Sequence, residues 1–188
     1  GDVPAAQVLA LTFTNRAVQE MAERLENMVT RKATEQATIS TFHAFALELL
    51  RRYPEEAGLQ SGFVLVTEEE CVEILQRDSA LKKGEAQAIV EAVCRTLRTY
   101  QDPIQVEGYQ HWQAVIDQQN MLVLDAVVPR AVSLLQRFPQ IRDELPFRYM
   151  FIDEYQDINE AQYTLLRLLT GDDNQNLFAI GDPNQSIY

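Results

Sequence analysis

The sequence predicts an α/β protein: a parallel sheet interrupted by a helical insertion. Three observations carry that reading. The apolar runs VLALTF (8–13), YMFI (149–152) and NLFAI (176–180) have strand length but no polar alternation, as expected of strands covered on both faces. The first and second runs are each followed by apolar residues at helical spacing. Between 60 and 148 the pattern changes to successive amphipathic helices without strand alternation. A chain of 188 residues, 46% of them hydrophobic, can bury one core, or a core and a small subdomain.

The elements follow in order. The strand over 8–13 breaks at Thr14-Asn15, and Ala17, Val18, Met21, Ala22, Leu25, Met28 and Val29 mark the helix after it. A short strand at Ala37-Thr38-Ile39-Ser40 leads into a helix marked by Phe42, Phe45, Ala46, Leu49, Leu50 and Tyr53. Strand, turn, helix, repeated, is the grammar of a parallel sheet. In the middle block, Thr67 with Glu70 forms a capping box that opens a helix carrying Cys71, Ile74, Leu75 and Leu81. Ile89, Val90, Val93, Leu97 and Tyr100 give a second apolar face, and Tyr109, Trp112, Val115 and Ile116 a shorter third. A fourth helix spans roughly 121–138, with Pro129 expected to kink or split it. The last block returns to the first grammar: the strand at 149–152, a helix with Asn159 and Gln162 in reciprocal capping positions and Gly171 as its C-cap, then the strand that ends at Gly181-Asp182. The domain reading is therefore 1–58 and 149–188 as two parts of one α/β domain, and 59–148 as the insertion.

Composition excludes several classes. No run of 18 apolar residues exists, so no membrane span or membrane partner is expected. The start, GDVPAAQVLALTF, lacks the features of a signal peptide. Cys71 and Cys94 have no CxxC spacing and read as reduced thiols, which places the expected protein in the cytoplasm. The formal net charge of −12 opposes broad nucleic-acid affinity, but it is unevenly spread. Residues 16–52 hold six Arg or Lys against five Glu, and residues 53–157 hold nine against eighteen acids. The acidic middle reads as a solvated helical surface.

The stretch FIDEYQD (151–157) raises the functional question. Asp153 and Glu154 end a buried strand, where two carboxylates need a partner. Ligands of parallel sheets bind outside the carboxyl ends of the strands. Polar clusters stand at three such ends: Thr12-Phe13-Thr14-Asn15, Asp153-Glu154, and Gly181-Asp182-Pro183-Asn184-Gln185. A strand-end carboxylate suits Mg²⁺, a hard cation that keeps several waters, and a neighbouring Glu can polarise water for attack on a phosphoryl group. A glycosidase needs two facing carboxylates, and adjacent strand residues point to opposite faces.

LALTFTNRAVQEMAERL, ISTFHAFALELLRRY, FIDEYQDINEAQYTLLRLL and LFAIGDPNQSIY together resemble successive motifs of UvrD/Rep-type superfamily 1 DNA helicases, in order and approximate spacing. The resemblance covers about 8–53 and 135–188, and the middle block by position. It implies a partial RecA-like P-loop motor domain with a helical insertion subdomain placed near duplex DNA. By resemblance, Asp153 is the Mg²⁺ ligand and Glu154 the base that activates the attacking water. Gln185 senses the γ-phosphate and couples it to DNA, and Asp182 joins Asp153 and Gln185 around ATP. Phe13, Thr14 and Asn15, then Thr41, Phe42 and His43, are the expected contacts to single-stranded DNA, with Tyr188 as a base-stacking aromatic. The partners implied are ATP and single-stranded and duplex DNA; oligomeric state is left open.

Structural roles compete at some of these positions. Phe42 and Phe45 lie three apart on a helix, which puts at least one ring in the core. Trp112 reads as core, and Gln156 and Asp157 read as a cap and anchor for the next helix. Tyr155 and Ile158 stand where the family usually has Phe and Thr. No G-x-x-x-x-G-K-S/T loop occurs, and none of the seven Gly precedes a Lys-Ser or Lys-Thr pair. The family places that phosphate loop upstream of the first motif and the second motor domain downstream of the last. The expectation is therefore a piece of a larger ATP-dependent helicase, whose missing phosphate-loop strand leaves a sheet edge exposed. The alternative is a non-catalytic helicase-like module that binds DNA or protein.

The missing loop generates a prediction. Phosphate affinity in such motors comes largely from backbone N–H groups and a Lys, while this chain offers Asp153, Glu154 and Asp182 to a polyanion. The isolated 188-residue chain is expected to hydrolyse no ATP and to bind it very weakly, and its weak binding of single-stranded oligonucleotide is expected to fall as salt is added. Titration with a fluorescent ATP analogue and Mg²⁺ checks this; micromolar affinity abolished by Asp153→Ala would contradict it.

Overall fold

The computed structural model describes residues 4–79, 81–170 and 176–182. The chain divides into two compact units, one formed by Gly1–Phe45 with Leu135–Tyr188 and the other by Ala46–Leu134. The sequence places the joints at 58/59 and 148/149, whereas the units divide inside two helices, at 45/46 and 134/135.

The first unit holds a four-stranded sheet in the order β2-β1-β5-β6, formed by β1 (Val8–Thr12), β2 (Thr38–Thr41), β5 (Tyr149–Ile152) and β6 (Leu177–Ala179). All three pairings are parallel, so every strand presents its carboxyl end on the same side. β1 lies between β2 and β5, and Leu9, Ala10, Leu11 and Thr12 are buried, which accounts for the unbroken apolar run. The helices of this unit are α1 (Asn15–Met28), α2 (Arg31–Gln36), the start of α3 (Phe42–Arg52), the end of α7 (Val127–Arg137), α8 (Pro139–Asp143) and α9 (Glu160–Thr170). Phe42, Leu165 and Leu166 seal its core. Asn159 and Gln162 cap α9 reciprocally, each backbone N–H donating to the other's side-chain oxygen at 2.9 Å.

α1 departs from expectation. It forms over the predicted residues, with Thr14 Oγ1 accepting from Ala17 N–H at 3.1 Å, yet none of its residues is buried. Its apolar stripe is half covered: Ala17, Met21 and Leu25 line a hollow whose other wall includes Val8, Phe151 and Ile180. β6 is an edge strand among the described residues; its Phe178 is 48% exposed, and Ile180 just after it 65%.

The second unit is mainly helical: the rest of α3, α4 (Glu68–Asp78), α5 (Lys83–Arg98), α6 (Tyr109–Gln118) and the first part of α7. The Thr67–Glu70 capping box forms as predicted, with contacts of 3.2 and 2.7 Å. Two features differ from the sequence reading. β3 (Val64–Val66) and β4 (Met121–Val123) make a small parallel pair, and strands of three residues are too short to display a period in the sequence. Pro129 neither kinks nor splits a helix. It falls in the first turn of α7, where its missing N–H has no intrahelical acceptor to lose. Trp112 is buried in this unit, as its core reading anticipates. No helix among the described residues is long and apolar enough to cross a membrane.

Two glycines of this unit separate strain from crowding. Gly62 and Gly108 have φ of +76° and +82°, but a Cβ on Gly62 would meet nothing within 4 Å, while one on Gly108 would lie 2.6 Å from Ile89 Cδ1. Gly62→Ala is expected to cost about 1 kcal/mol from the left-handed backbone alone. Gly108→Ala is expected to cost about 1–3 kcal/mol more through overpacking. Urea midpoints of the two variants check this, and equal midpoints would refute the close approach to Ile89.

Candidate functional site

Asp153 and Glu154 follow β5 directly. Pairing of Leu11 with Ile152, and a 3.1 Å hydrogen bond from Asp153 N–H to the Leu11 carbonyl, set Asp153 beside the end of β1. Asp153 Oδ1 accepts from Glu154 N–H at 3.1 Å. Glu154 sits in the left-handed region at φ 53°, ψ 42°, which turns the chain sharply out of the strand into a 3₁₀ turn over Tyr155–Asp157. Its side chain is exposed. The end of β6 is laced to the same place: Ile180 N–H donates to the Ile152 carbonyl at 2.8 Å, and Tyr155 N–H to the Ile180 carbonyl at 2.9 Å. Asp153 and Glu154 therefore line the mouth of the hollow of about 550 Å³ between α1 and the sheet, together with Glu20 and Arg24.

Gln156 has a role the sequence does not signal. Instead of capping the next helix, its Nε2 donates to Glu154 Oε2 at 2.6 Å and its Oε1 accepts from Asp182 N–H at 3.0 Å. Asp157 does not cap α9 either, and its Oδ1 is buried with no hydrogen-bond partner among the described residues. Gln185 and Tyr188 lie outside the described residues, as does Gly171.

The donor set fits a hard divalent cation. Asp153 contributes carboxylate oxygen at the edge of an open hollow, and no His or Cys competes there. Mg²⁺ is held by one or two carboxylates with water and phosphate oxygens completing its shell, and a strand-end Asp is a ligand of that kind.

The residues expected to meet DNA stand at the neighbouring strand ends. Thr12 pairs in register with Thr41, so the segments that follow β1 and β2 lie side by side. Thr14 and Asn15 open α1 and are exposed, as is His43 in the first turn of α3. Thr41 is buried, and its Oγ1 accepts from Ala44 N–H at 3.1 Å. Phe42 and Phe45 are both core residues. Phe42 packs its ring on Phe13, centroids 5.7 Å apart, and being 1% exposed it has no free face on which a base can stack. Of the two aromatics, only Phe13 reaches the surface.

The family model for the UvrD/REP helicase N-terminal domain matches residues 1–188. The ATP-dependent DNA helicase PcrA of Staphylococcus aureus strain Mu50 is 31% identical over 207 aligned positions, covering 100% of this chain and 28% of the relative. The protein of the same name from Staphylococcus epidermidis strain RP62A is 30% identical with the same coverage. The chain thus spans 28% of the length of these curated relatives.

A second cluster, in the helical unit, is structural. Glu68, Cys94 and Asp125 bring ligand-type atoms within 4.8 Å of one another. The Arg98 guanidinium engages two of the three: it pairs with Glu68 and takes Asp125 in a fork at 2.9 and 3.1 Å. Both cysteines are buried free thiols. Burial, then the negative charges of Glu70, Glu68 and Asp125, pushes the Cys71 thiol up to about 12. Burial, then Asp125 and Glu68, also pushes Cys94 up. A thiol raised in the folded state favours folding fully below its unfolded value of about 8.5, and that contribution fades as pH climbs from there through the folded value. Stability is therefore expected to decline between about pH 9 and pH 12, as followed by urea unfolding. At pH 8 both thiols should resist Ellman's reagent in the folded protein and react promptly in denaturant.

Proposed function

The chain belongs to the UvrD/REP helicase N-terminal domain family, and from that premise we propose that it is the ATP-handling part of a DNA helicase motor that couples Mg-ATP hydrolysis to movement on single-stranded DNA and to duplex unwinding. The observation that carries the proposal is the convergence, at one end of a parallel sheet, of Asp153 and Glu154 with the segments that follow β1 and β2. The end of β5 then faces nucleotide and the ends of β1 and β2 face DNA, with β1 lying between β5 and β2.

In this reading Asp153 holds Mg²⁺, which supplies charge neutralisation on the phosphates when bound. Glu154 orients water and accepts its proton. Asp182 lies beside the nucleotide, and Gln185 senses its terminal phosphate. Phe13, Thr14, Asn15 and His43 meet the DNA strand, with Tyr188 as a further stacking surface. Thr41 and Phe42 serve that contact from beneath, Thr41 by capping the first turn of α3 and Phe42 by bracing the Phe13 ring. The hydrolytic cycle requires a phosphate loop and a second motor domain, so it is assigned to the whole protein, and the isolated chain is read as inactive.

Glu154→Gln in the full-length protein separates binding from chemistry. The amide keeps the shape of the side chain and loses its basicity, so Mg-ATP affinity is expected to stay near wild type. DNA-stimulated phosphate release is expected to fall about 10²–10⁴-fold, the usual contribution of a positioned general base. Unchanged turnover would remove Glu154 from the mechanism.

A further inference from the structure

We propose that Gln156 is the positioning residue for Glu154, a clamp that ties the Glu154 carboxylate to the chain leaving β6; the inference rests on the hydrolytic reading above. Glu154 is exposed and its backbone is in the left-handed region, so neither burial nor a regular element orients the side chain. Among the described residues the only group that donates to its carboxylate is Gln156 Nε2, at 2.6 Å. The other end of the same amide accepts the backbone N–H of Asp182 at 3.0 Å. The chemistry fixes the orientation of this amide. Turned over, it would set its oxygen against a carboxylate oxygen and its NH₂ against a backbone N–H, losing both bonds.

Gly181 makes the clamp possible. A Cβ there would lie 2.4 Å from Gln156 Oε1, 3.1 Å from Tyr155 N and 3.2 Å from Gln156 N. The chain can pass this close to the amide only without a side chain. Because the Tyr155 and Ile180 backbones are also bonded at 2.9 Å, the 180–182 segment and the Glu154 carboxylate are mechanically one piece. Displacement of the segment after β6 is transmitted to the turn through the Tyr155–Ile180 backbone bond and to the carboxylate itself through the Gln156 side chain.

Three variants of the full-length protein test this by steady-state ATP hydrolysis with DNA, alongside wild type and Glu154→Gln. Gln156→Met removes both bonds. Gln156→Glu keeps the acceptor for Asp182 N–H and sets a like charge against Glu154. Gly181→Ala displaces the amide and touches neither carboxylate. A misaligned base is expected to lower kcat about 10- to 100-fold. KM for ATP should stay within about threefold of wild type, because the lost interaction acts in the chemical step rather than in binding. Gln156→Glu is expected to be the most impaired of the three. Wild-type kcat in both Gln156 variants, with Glu154→Gln inactive, overturns the clamp and leaves the assignment of Glu154 standing. A loss carried by KM, with kcat unchanged, also overturns it. Should the Gln156 variants not fold, Gly181→Ala decides: normal kcat rejects the clamp. A full-length protein without ATP hydrolysis overturns the reading of the site, and this inference with it.

Discussion

The position of β1 inside the sheet is the constraint on which the rest of the first unit depends. Its backbone pairs with β2 on one side and β5 on the other, and both pairings are parallel. Parallel pairing leaves no freedom in where the polar segments emerge: the residues after Thr12, Thr41 and Ile152 all leave at the same end. Leu9, Ala10 and Leu11 are buried on both faces of β1, and their pairing in register with Thr38, Ile39 and Ser40 on one side and Met150, Phe151 and Ile152 on the other aligns the strand ends. Chemistry at that end is thus a product of hydrophobic packing several residues below it.

What could be read from the sequence follows the length of each signal. The α/β order, both capping boxes and the position of Asp153-Glu154 at a strand end rest on long apolar runs or paired capping residues, and the structure shows each of them. Shorter signals failed. β3 and β4 have three residues each, and their apolar stretches read equally well as parts of helices. Pro129 is a helix breaker by type, but its effect depends on position within the turn, which periodicity does not set. The half-exposed face of α1 is invisible in a pattern that reports only that an apolar stripe exists. In the site, Gln156 was obscured by a local alternative. Its distance from the following helix suggested a cap, whereas its partners are Glu154 and the distant Asp182, a contact that arises only when β6 lies beside β5.

Glu154 shows how local strain is held in place. An L-residue in the left-handed region costs about 1–2 kcal/mol relative to ordinary backbone. The bonds from Glu154 N–H to Asp153 Oδ1 and from Tyr155 N–H to the Ile180 carbonyl fall on either side of it and favour the turn. The strain ends the strand abruptly and swings the second carboxylate away from the direction it would take in continued β structure. The charge of the helical unit is held differently: Arg98 gathers Glu68 and Asp125 beside buried Cys94, so part of that acidity is neutralised internally.

The interleaving of the two units bears on how the chain is made. Residues 46–134 form one unbroken stretch, whereas the sheet draws on segments at both ends of the chain. As synthesis proceeds from the amino terminus, β1 and β2 leave the ribosome long before Tyr149 exists to pair with Val8. The helical unit has all its parts by Leu134, before any residue of β5 has been made. Until then the apolar run 8–12 is without its β5 partner, in the condition that exposes nascent chains to chaperones and to aggregation. The insertion therefore sets the interval of synthesis during which β1 and β2 are without β5.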